Sequence, residues 1–357
     1  MTNMVSSIRV LVVDDSPFIR YTIAKHLEAI PGINVVGSAQ NGIEALAKIP
    51  TLKPDVVTLD VEMPNMDGLT ALKSIMSDCP TSVIMLSSLT RQGSRTTIQA
   101  LMRGAVDFVT KPTASTDIRT VIEELATKIK TAAQVRISDW KVRTTEQDLK
   151  PATQNPKSKI QPFHLGDPVI VIGSSTGGPQ ALQQVLTEIP ADLPAAIAIV
   201  QHMPSGFTSS LARRLNESSS FNVQEAADGD RLAQGLALLA PGDYHLRFVK
   251  DKRVVLEQSP RRHHVRPAVD VTLESAVEHY KSAVISVILT GMGCDGTAGA
   301  ACVKSVGGQV VVEDESTSVV YGMPRSVVEA GLADHVVPLP KITSTLVELV
   351  NNATIRI

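Results

Sequence analysis

Residues 168–186 read PVIVIGSSTGGPQALQQVL, and this stretch decides the fold. Val169 to Ile172 form a run of branched apolar residues, as in a strand buried on both faces of a parallel sheet. Gly173-Ser174-Ser175-Thr176-Gly177-Gly178-Pro179 follows, and then Ala181, Leu182, Val185 and Leu186 recur at helical spacing. The order is strand, tight turn, helix. Gly173, Ser175 and Gly177 match G-x-S-x-G, which holds a serine on a sharp turn with its hydroxyl above the sheet. The helix N-terminus behind it supplies unpaired N–H groups and a positive dipole end, suited to an oxyanion. The same groups could equally cradle a phosphate.

Working downstream, Ala195 to Val200 predicts a second buried strand that runs into Gln201-His202, and Val284 to Leu289 a third that runs into Thr290-Gly291-Met292-Gly293-Cys294-Asp295. A histidine and a carboxylate at the ends of neighbouring parallel strands stand where a general base and its orienting partner are needed. The order Ser175, His202, Asp295 differs from the Ser…Asp…His order of α/β-hydrolases, so their elbow is matched without their topology. Leu236 to Leu239, Arg247 to Val249 and Val254 to Glu257 are expected to form antiparallel hairpins inserted in this domain. Arg261, Arg262 and Arg266 could steer an acidic surface, or simply form a solvated basic loop. The spacing shows no partner for Cys294 and no metal-ligand cluster in this half.

Upstream, Arg9 to Val13 ends in Asp14-Asp15, Val56 to Leu59 in Asp60, and Val83 to Leu86 in Ser87-Ser88, while Lys111-Pro112 follows Phe108-Val109-Thr110. Helical patterns lie between these runs, which predicts an open parallel α/β sheet with its site beyond the strand ends. Three carboxylates and a lysine converging there make a hard-oxygen site suited to Mg²⁺, with one carboxylate able to attack a phosphoryl donor. From about Gln134 to Asp167 the chain turns polar and carries three prolines, the composition of a linker, with the only tryptophan, Trp140, inside it.

The whole chain has 357 residues, enough for about two domains, and 43% hydrophobic residues, ample for buried cores. A formal net charge of -2 gives no electrostatic reason to expect nucleic acid. No apolar run approaches the roughly 20 residues of a membrane span, so no membrane insertion is expected. Three scattered cysteines without C-x-x-C fit a reduced, cytoplasmic setting.

VLVVDDS, TLDVEMPNMDG and FVTKP resemble the two-component response-regulator receiver domain over about 1–125. That resemblance makes Asp60 the phospho-acceptor, with Mg²⁺ held by Asp15, Asp60, the backbone carbonyl of Glu62 and, through water, Asp14. It makes Ser87 and Lys111 the groups that follow the phosphoryl group and Phe108 an aromatic switch, although Phe108 reads equally as a core ring. GSSTGGP, QHMPSGFT, APGDYH, RPAVDV, LTGMGCDG and YGMPR then resemble the chemotaxis protein-glutamate methylesterase family. The implied architecture is a flavodoxin-like five-stranded receiver at 1–125, a linker at 126–166 and a doubly wound parallel α/β esterase domain at 167–357. The implied activity is hydrolysis of glutamate γ-methyl esters, with deamidation of glutamines, on chemoreceptors. Ser175, His202 and Asp295 would be catalytic, the N–H groups of Thr176 and Met292 the oxyanion donors, and a chemotaxis histidine kinase the phosphodonor. The esterase half is expected to need no cofactor. A nucleotide-binding output module or a DNA-binding output are the competing readings. The first lacks an acidic ribose partner after the second strand, where His202 stands. The second would need a basic helix-turn-helix.

Overall fold

The computed structural model describes residues 7–112, 118–135, 137, 157–164 and 166–354. The chain divides into two compact units, Met1–Thr145 and Glu146–Ile357. Trp140 and most of the polar connecting segment lie outside the described residues.

The first unit alternates β1 (Ile8–Val13), α1 (Pro17–Glu28), β2 (Ile33–Ala39), α2 (Gly42–Leu52), β3 (Val56–Asp60), α3 (Gly68–Asp78), β4 (Ser82–Ser87), α4 (Arg91–Met102), β5 (Asp107–Thr110) and α5 (Ile118–Ala132). The sheet is parallel in the order β2-β1-β3-β4-β5. Val10 to Val13, Val56, Val57, Leu59 and Val83 to Leu86 are buried, as two-sided coverage by helices requires. The first four helices each begin at a short polar residue. Ser16, Asn41, Asp67 and Thr90 accept the N–H three residues on, each cap contributing about 1 kcal/mol. Helix α5 runs through Ala132, so this unit's packing continues past residue 125.

The second unit contains β6 (Gln161–Pro162), β7 (Val169–Ser174), α6 (Gly178–Glu188), β8 (Ala196–Gln201), α7 (Thr208–Ser218), β9 (Asn222–Glu225), β10 (Ala233–Gln234), β11 (Leu236–Leu239), β12 (His245–Val249), β13 (Arg253–Glu257), α8 (Val269–Tyr280), β14 (Val284–Ile288), α9 (Thr297–Ser305), β15 (Gln309–Glu313), α10 (Met323–Glu329), β16 (His335–Val337) and α11 (Leu339–Thr354). Its main sheet has seven strands, all parallel, in the order β16-β15-β14-β7-β8-β11-β9. The chain enters at β7, and later strands add on both sides of it. The end of β7 is therefore a topological switch point, where a crevice opens.

Two expectations are corrected here. Among the described residues, the inserted antiparallel hairpin is formed by β12 and β13 alone. Leu236–Leu239 instead pairs parallel with β8 and β9 inside the main sheet. Its four residues are all buried, and a short continuous apolar run suits a sandwiched strand better than a half-exposed hairpin. The tail of the polar segment also belongs to this unit. β6 pairs antiparallel with β10, and Phe163 is buried with its ring edge-on to Tyr280, centroids 5.7 Å apart. Lys157 lies across the end of α7, its Nζ donating to Asn216 Oδ1 at 2.9 Å and to Ser219 O at 2.9 Å.

The helices that open on the switch point are capped differently from those of the first unit. α6 and α9 begin at left-handed Gly177 and Gly296, which have no side chain of their own to cap the helix. Their first N–H groups are left to the residues gathered at the sheet edge.

Candidate active site

Ser175 directly follows β7, His202 directly follows β8, and Asp295 ends the loop after β14. Because Ser174 lies opposite Gln201, and Ile288 opposite Gly173, three strand ends converge on one edge. The Ser175 backbone is held on three sides. Its N–H donates to Thr290 O at 3.0 Å. Its carbonyl accepts from Gly178 N–H at 2.8 Å and from Gln201 Nε2 at 2.9 Å. Ser174 is buried, and its hydroxyl donates to Gln201 Oε1 at 2.7 Å. The second residue of the turn is therefore committed inward, and Ser175 is the half-buried one.

Two glycines permit these approaches. A Cβ on Gly178 would lie 2.0 Å from Gln201 Oε1, and a Cβ on Gly291 would lie 2.7 Å from Ser175 Cβ. Gly291 in turn is clamped by Gly322 and Met323, whose N–H groups donate to its carbonyl at 3.1 and 2.8 Å. This holds the backbone of Gly291, just before Met292, beside the serine turn. The YGMPR segment thus serves as a brace for the 290–295 loop.

Asp295 is buried, and His202 Nε2 lies 2.8 Å from its Oδ2. The same carboxylate accepts the N–H groups of Val269 (2.6 Å) and Asp270 (3.0 Å), at the start of α8. Burial by itself would raise the Asp295 carboxyl. The His202 hydrogen bond and charge, with those two N–H groups, outweigh it and hold the carboxyl below its ordinary range. An ionised Asp295 fixes the proton of His202 on Nε2, which leaves Nδ1 as the basic nitrogen. The histidine–carboxylate link is thus formed, and a hydrogen bond from Ser175 Oγ to His202 Nδ1 would complete the relay. Such bonds commonly tighten only when substrate is bound.

Asp270 repeats the arrangement one helix over. Its Oδ1 accepts the N–H groups of Gly296 and Gly299 at the start of α9, at 3.0 and 2.7 Å. Each aspartate thus caps the other's helix. Asp270 is pushed upward by burial and by the adjacent Asp295 charge. His263, Asp270 and Asp295 together offer ligand atoms within 4.8 Å of one another, a grouping not visible in the sequence. The oxygens of both aspartates are already engaged by N–H donors.

His245 is buried and pushed toward the neutral form by that burial, with Ala268 N–H donating to its Nδ1 at 3.2 Å. It belongs to the framework. The arginines are paired internally. Arg266 and Arg261 hold Asp243 at 2.7 and 3.2 Å, and Arg262 holds Glu274 at 2.8 Å. Gln201 was the main omission of the sequence reading, since its partners lie across a strand boundary. Buried Glu313, whose carboxyl burial pushes up to about 7, was another, and it accepts Thr290 N–H at 2.8 Å.

In the first unit, Asp14 and Asp60 are buried at the ends of β1 and β3, with exposed Asp15 beside them. Lys111 Nζ lies 2.7 Å from Oδ2 of both Asp14 and Asp60. Burial is the largest influence on Asp60, with the charge of Asp14 adding to it. Despite Lys111 and the N–H of Glu62, its carboxyl is pushed up to about 6. One lysine does not balance three carboxylates. Asp14, Asp15 and Asp60 present oxygens within 4.8 Å of one another, which fits a small hard dication such as Mg²⁺. Glu62 is the second residue past β3 and is exposed. Ser87 is buried and accepts from Thr97 Oγ1 at 2.6 Å, so in this state it faces α4. Phe108 is buried beneath Lys128, whose Nζ is 5.3 Å from the ring centroid.

The two units define a class: a response regulator whose output is a parallel-sheet α/β hydrolase domain. Comparison with known proteins narrows it. The response regulator receiver model matches residues 10–123, and the CheB methylesterase model matches 170–346. The protein-glutamate methylesterase/protein-glutamine glutaminase of Thermotoga maritima is 48% identical, over 96% of this chain and 98% of its own. That of Symbiobacterium thermophilum is 47% identical, over 96% and 97%. The crystal structure of the Thermotoga maritima CheB methylesterase catalytic domain shares 51% identity and a TM-score of 0.50. It covers 51% of this chain and 98% of that one. The chain belongs to the protein-glutamate methylesterase/protein-glutamine glutaminase family, and it is an ester hydrolase carrying a receiver domain.

Proposed function

We propose that this protein removes γ-methyl groups from glutamates of chemoreceptors, deamidates glutamines there, and does so under control of phosphorylation at Asp60. The observation that carries the reading is the His202–Asp295 pair at 2.8 Å, beside a serine held on a strand–turn–helix elbow. Ser175 Oγ attacks the ester carbonyl while His202 Nδ1 takes its proton. The N–H groups of Thr176 and Met292 receive the oxyanion. His202 then returns the proton to the departing methoxide, which leaves as methanol, or, when a glutamine is the substrate, to the amide nitrogen, which leaves as ammonia. Water repeats the cycle on the acyl-serine. Asp295 keeps the proton on Nε2 and stabilises the imidazolium form.

In the receiver, Asp60 is the phospho-acceptor and a chemotaxis histidine kinase the donor. Asp15, Asp60 and the Glu62 carbonyl, with Asp14 behind them, would hold Mg²⁺, which when bound neutralises charge on the transferring phosphoryl group. Lys111 already bridges Asp14 and Asp60 and is placed to pair with the product. Ser87 would leave Thr97 to follow the phosphoryl oxygens, and Phe108 would respond. The receptors' signalling helices make the cytoplasm the place of action, and no helix among the described residues is long and apolar enough to cross a membrane.

The test is methanol release from methylated receptor membranes, with and without a small-molecule phosphodonor and Mg²⁺. Stimulated release is expected from the full chain, and none above background from Ser175→Ala. A fragment lacking the receiver must begin before Lys157, because Lys157 to Phe163 pack on the second unit. Its rate is expected to exceed that of the unphosphorylated full chain. A slower fragment would make the receiver an activator rather than an inhibitor.

A further inference from the structure

We propose that Cys294 is a modification site, a thiol with its own general base in His263, taking hydroperoxides and other soft two-electron electrophiles on a relay separate from Ser175. Cys294 is exposed, and its Sγ lies 3.7 Å from His263 Nδ1. The other ring nitrogen, Nε2, is 2.9 Å from Asp270 Oδ2. The second oxygen of Asp270 is held by the Gly296 and Gly299 N–H groups. A carboxylate facing Nε2 keeps the proton there, so the Nδ1 lone pair faces the thiol. Carboxylate, imidazole and nucleophile thus follow one another as they do at Asp295, His202 and Ser175. The two relays meet where the Asp270 N–H donates to Asp295 and where the Asp295 charge acts on the Asp270 carboxyl.

The turn that presents His263 supports the assignment. Arg262 and Val265 exchange backbone hydrogen bonds at 3.2 and 2.9 Å, and both central residues are left-handed, His263 at φ +51 and His264 at φ +64. Turns of this kind favour Asn, Asp and Gly, so two histidines there come at a backbone cost. The bond from His263 to Asp270 offsets part of that cost and fixes the ring. Arg262 lies 3.6 Å from the same Asp270 oxygen but is held chiefly by Glu274. The remaining cysteines lack this setting. Cys79 and Cys302 are partly buried, and burial with the charges of Glu274 and Asp270 pushes the Cys302 thiol up.

With a hydroperoxide, sulfur attacks one peroxide oxygen, so that an S–O bond forms and the O–O bond breaks. Sulfur loses two electrons to become a sulfenic acid, and the peroxide gains them. The thiol proton passes through His263 Nδ1 to the departing oxygen, which leaves as water or an alcohol.

The test uses the full chain and hydrogen peroxide, with the sulfenic acid trapped by a cyclic 1,3-diketone. Iodoacetamide serves as a second probe, and labelling at each cysteine is followed by peptide mass spectrometry. Cys294 in the folded chain is expected to react about ten-fold or more faster than Cys294 in the same chain unfolded in urea. Exposure alone cannot produce that, so a folded rate equal to or below the unfolded one overturns the proposal. His263→Asn, which tolerates the left-handed backbone, is expected to slow Cys294 about ten-fold and leave Cys79 unchanged. His264→Asn in the same turn is expected to leave Cys294 unchanged. Equal slowing by both variants would assign the effect to the turn and not to the base.

Discussion

Asp60 and Asp295 are both buried aspartates at the carboxyl ends of parallel strands, and their environments push them in opposite directions. Asp295 is met by two backbone N–H groups at a helix start and by His202, and its carboxyl is held low although burial opposes this. Asp60 is met mainly by one lysine that it shares with Asp14, and burial carries its carboxyl up to about 6. The difference is one of preorganisation. A carboxylate that only orients another group can have its hydrogen bonds built in, which makes it inert and rigid. On the proposed function, Asp60 has to attack a phosphoryl donor and bind a dication, so it has to keep lone pairs unspent until they arrive. The raised Asp60 carboxyl is the counterpart of that demand.

The largest effects come from breaking the prebuilt side. Ser175→Ala and His202→Ala are each expected to reduce methanol release by about 10⁴-fold or more, and the double variant by no more than either alone. Asp295→Asn presents the wrong hydrogen-bonding pattern to Nε2 and is expected to cost about 10³–10⁴-fold. Ser174→Ala loses only the Gln201 bond and is expected to stay within about ten-fold of the wild type, the change costing about 1 kcal/mol of local stability. If Ser174→Ala matched Ser175→Ala in methanol release, the nucleophile would have to be reassigned.

These residues were legible because each follows a run of branched apolar residues that can only be a buried strand. A polar residue at such a boundary is thereby placed at the sheet edge. Asp14, Asp60 and Lys111, like Ser175, His202 and Asp295, owe their visibility to that rule. What stayed hidden was set by packing between segments distant in sequence. Gln201 meets Ser174 across 27 positions, and His263 meets Cys294 across 31. Leu236–Leu239 has the continuous apolar run of a sandwiched strand, but at four residues, next to turn-rich segments, that run does not name its pairing partners. Lys157 and Phe163 looked like linker because a single buried ring and a lysine cap are too sparse to form a periodic pattern.

The same substitution at the two aspartates should shift stability in opposite senses. The folded-state value of Asp60, about 6, lies above its ordinary 3.8, so the native chain holds that proton more tightly than the unfolded one. The resulting stabilisation is complete below the lower value and is lost as pH rises through 6. By pH 7.5 the loss amounts to about 3 kcal/mol. Asp60→Asn is therefore expected to stabilise the receiver by up to about that amount at pH 7.5, with the gain vanishing near pH 4. The folded-state value of Asp295 is depressed, so its contribution is present at neutral pH and disappears on acidification. Asp295→Asn should accordingly destabilise the second unit at pH 7.5. Hydrogen exchange in β3 and in β14 reads the two units separately. Protection that falls in both variants would remove the distinction drawn between the sites.

The smallest effect sharpens the receiver side of the comparison. If the unspent carboxylates of Asp14, Asp15 and Asp60 await a dication, Mg²⁺ should stabilise the folded receiver by mass action. At ten times its dissociation constant the gain is about 1.4 kcal/mol at pH 7.5. Binding requires Asp60 to be ionised, and with a value near 6 only about a tenth of it is so at pH 5. The apparent affinity then drops about ten-fold, and the gain at the same Mg²⁺ concentration shrinks to about 0.4 kcal/mol. Asp60→Asn removes both the titrating group and a ligand, so its Mg²⁺ response should be weak and nearly independent of pH. Hydrogen exchange in β1 and β3, at the two pH values with and without Mg²⁺, measures all four cases after correction for the intrinsic exchange rate. A wild-type gain unchanged between pH 5 and 7.5 would mean that the ion binds away from Asp60. The raised carboxyl would then reflect burial alone and not a site held ready for charge.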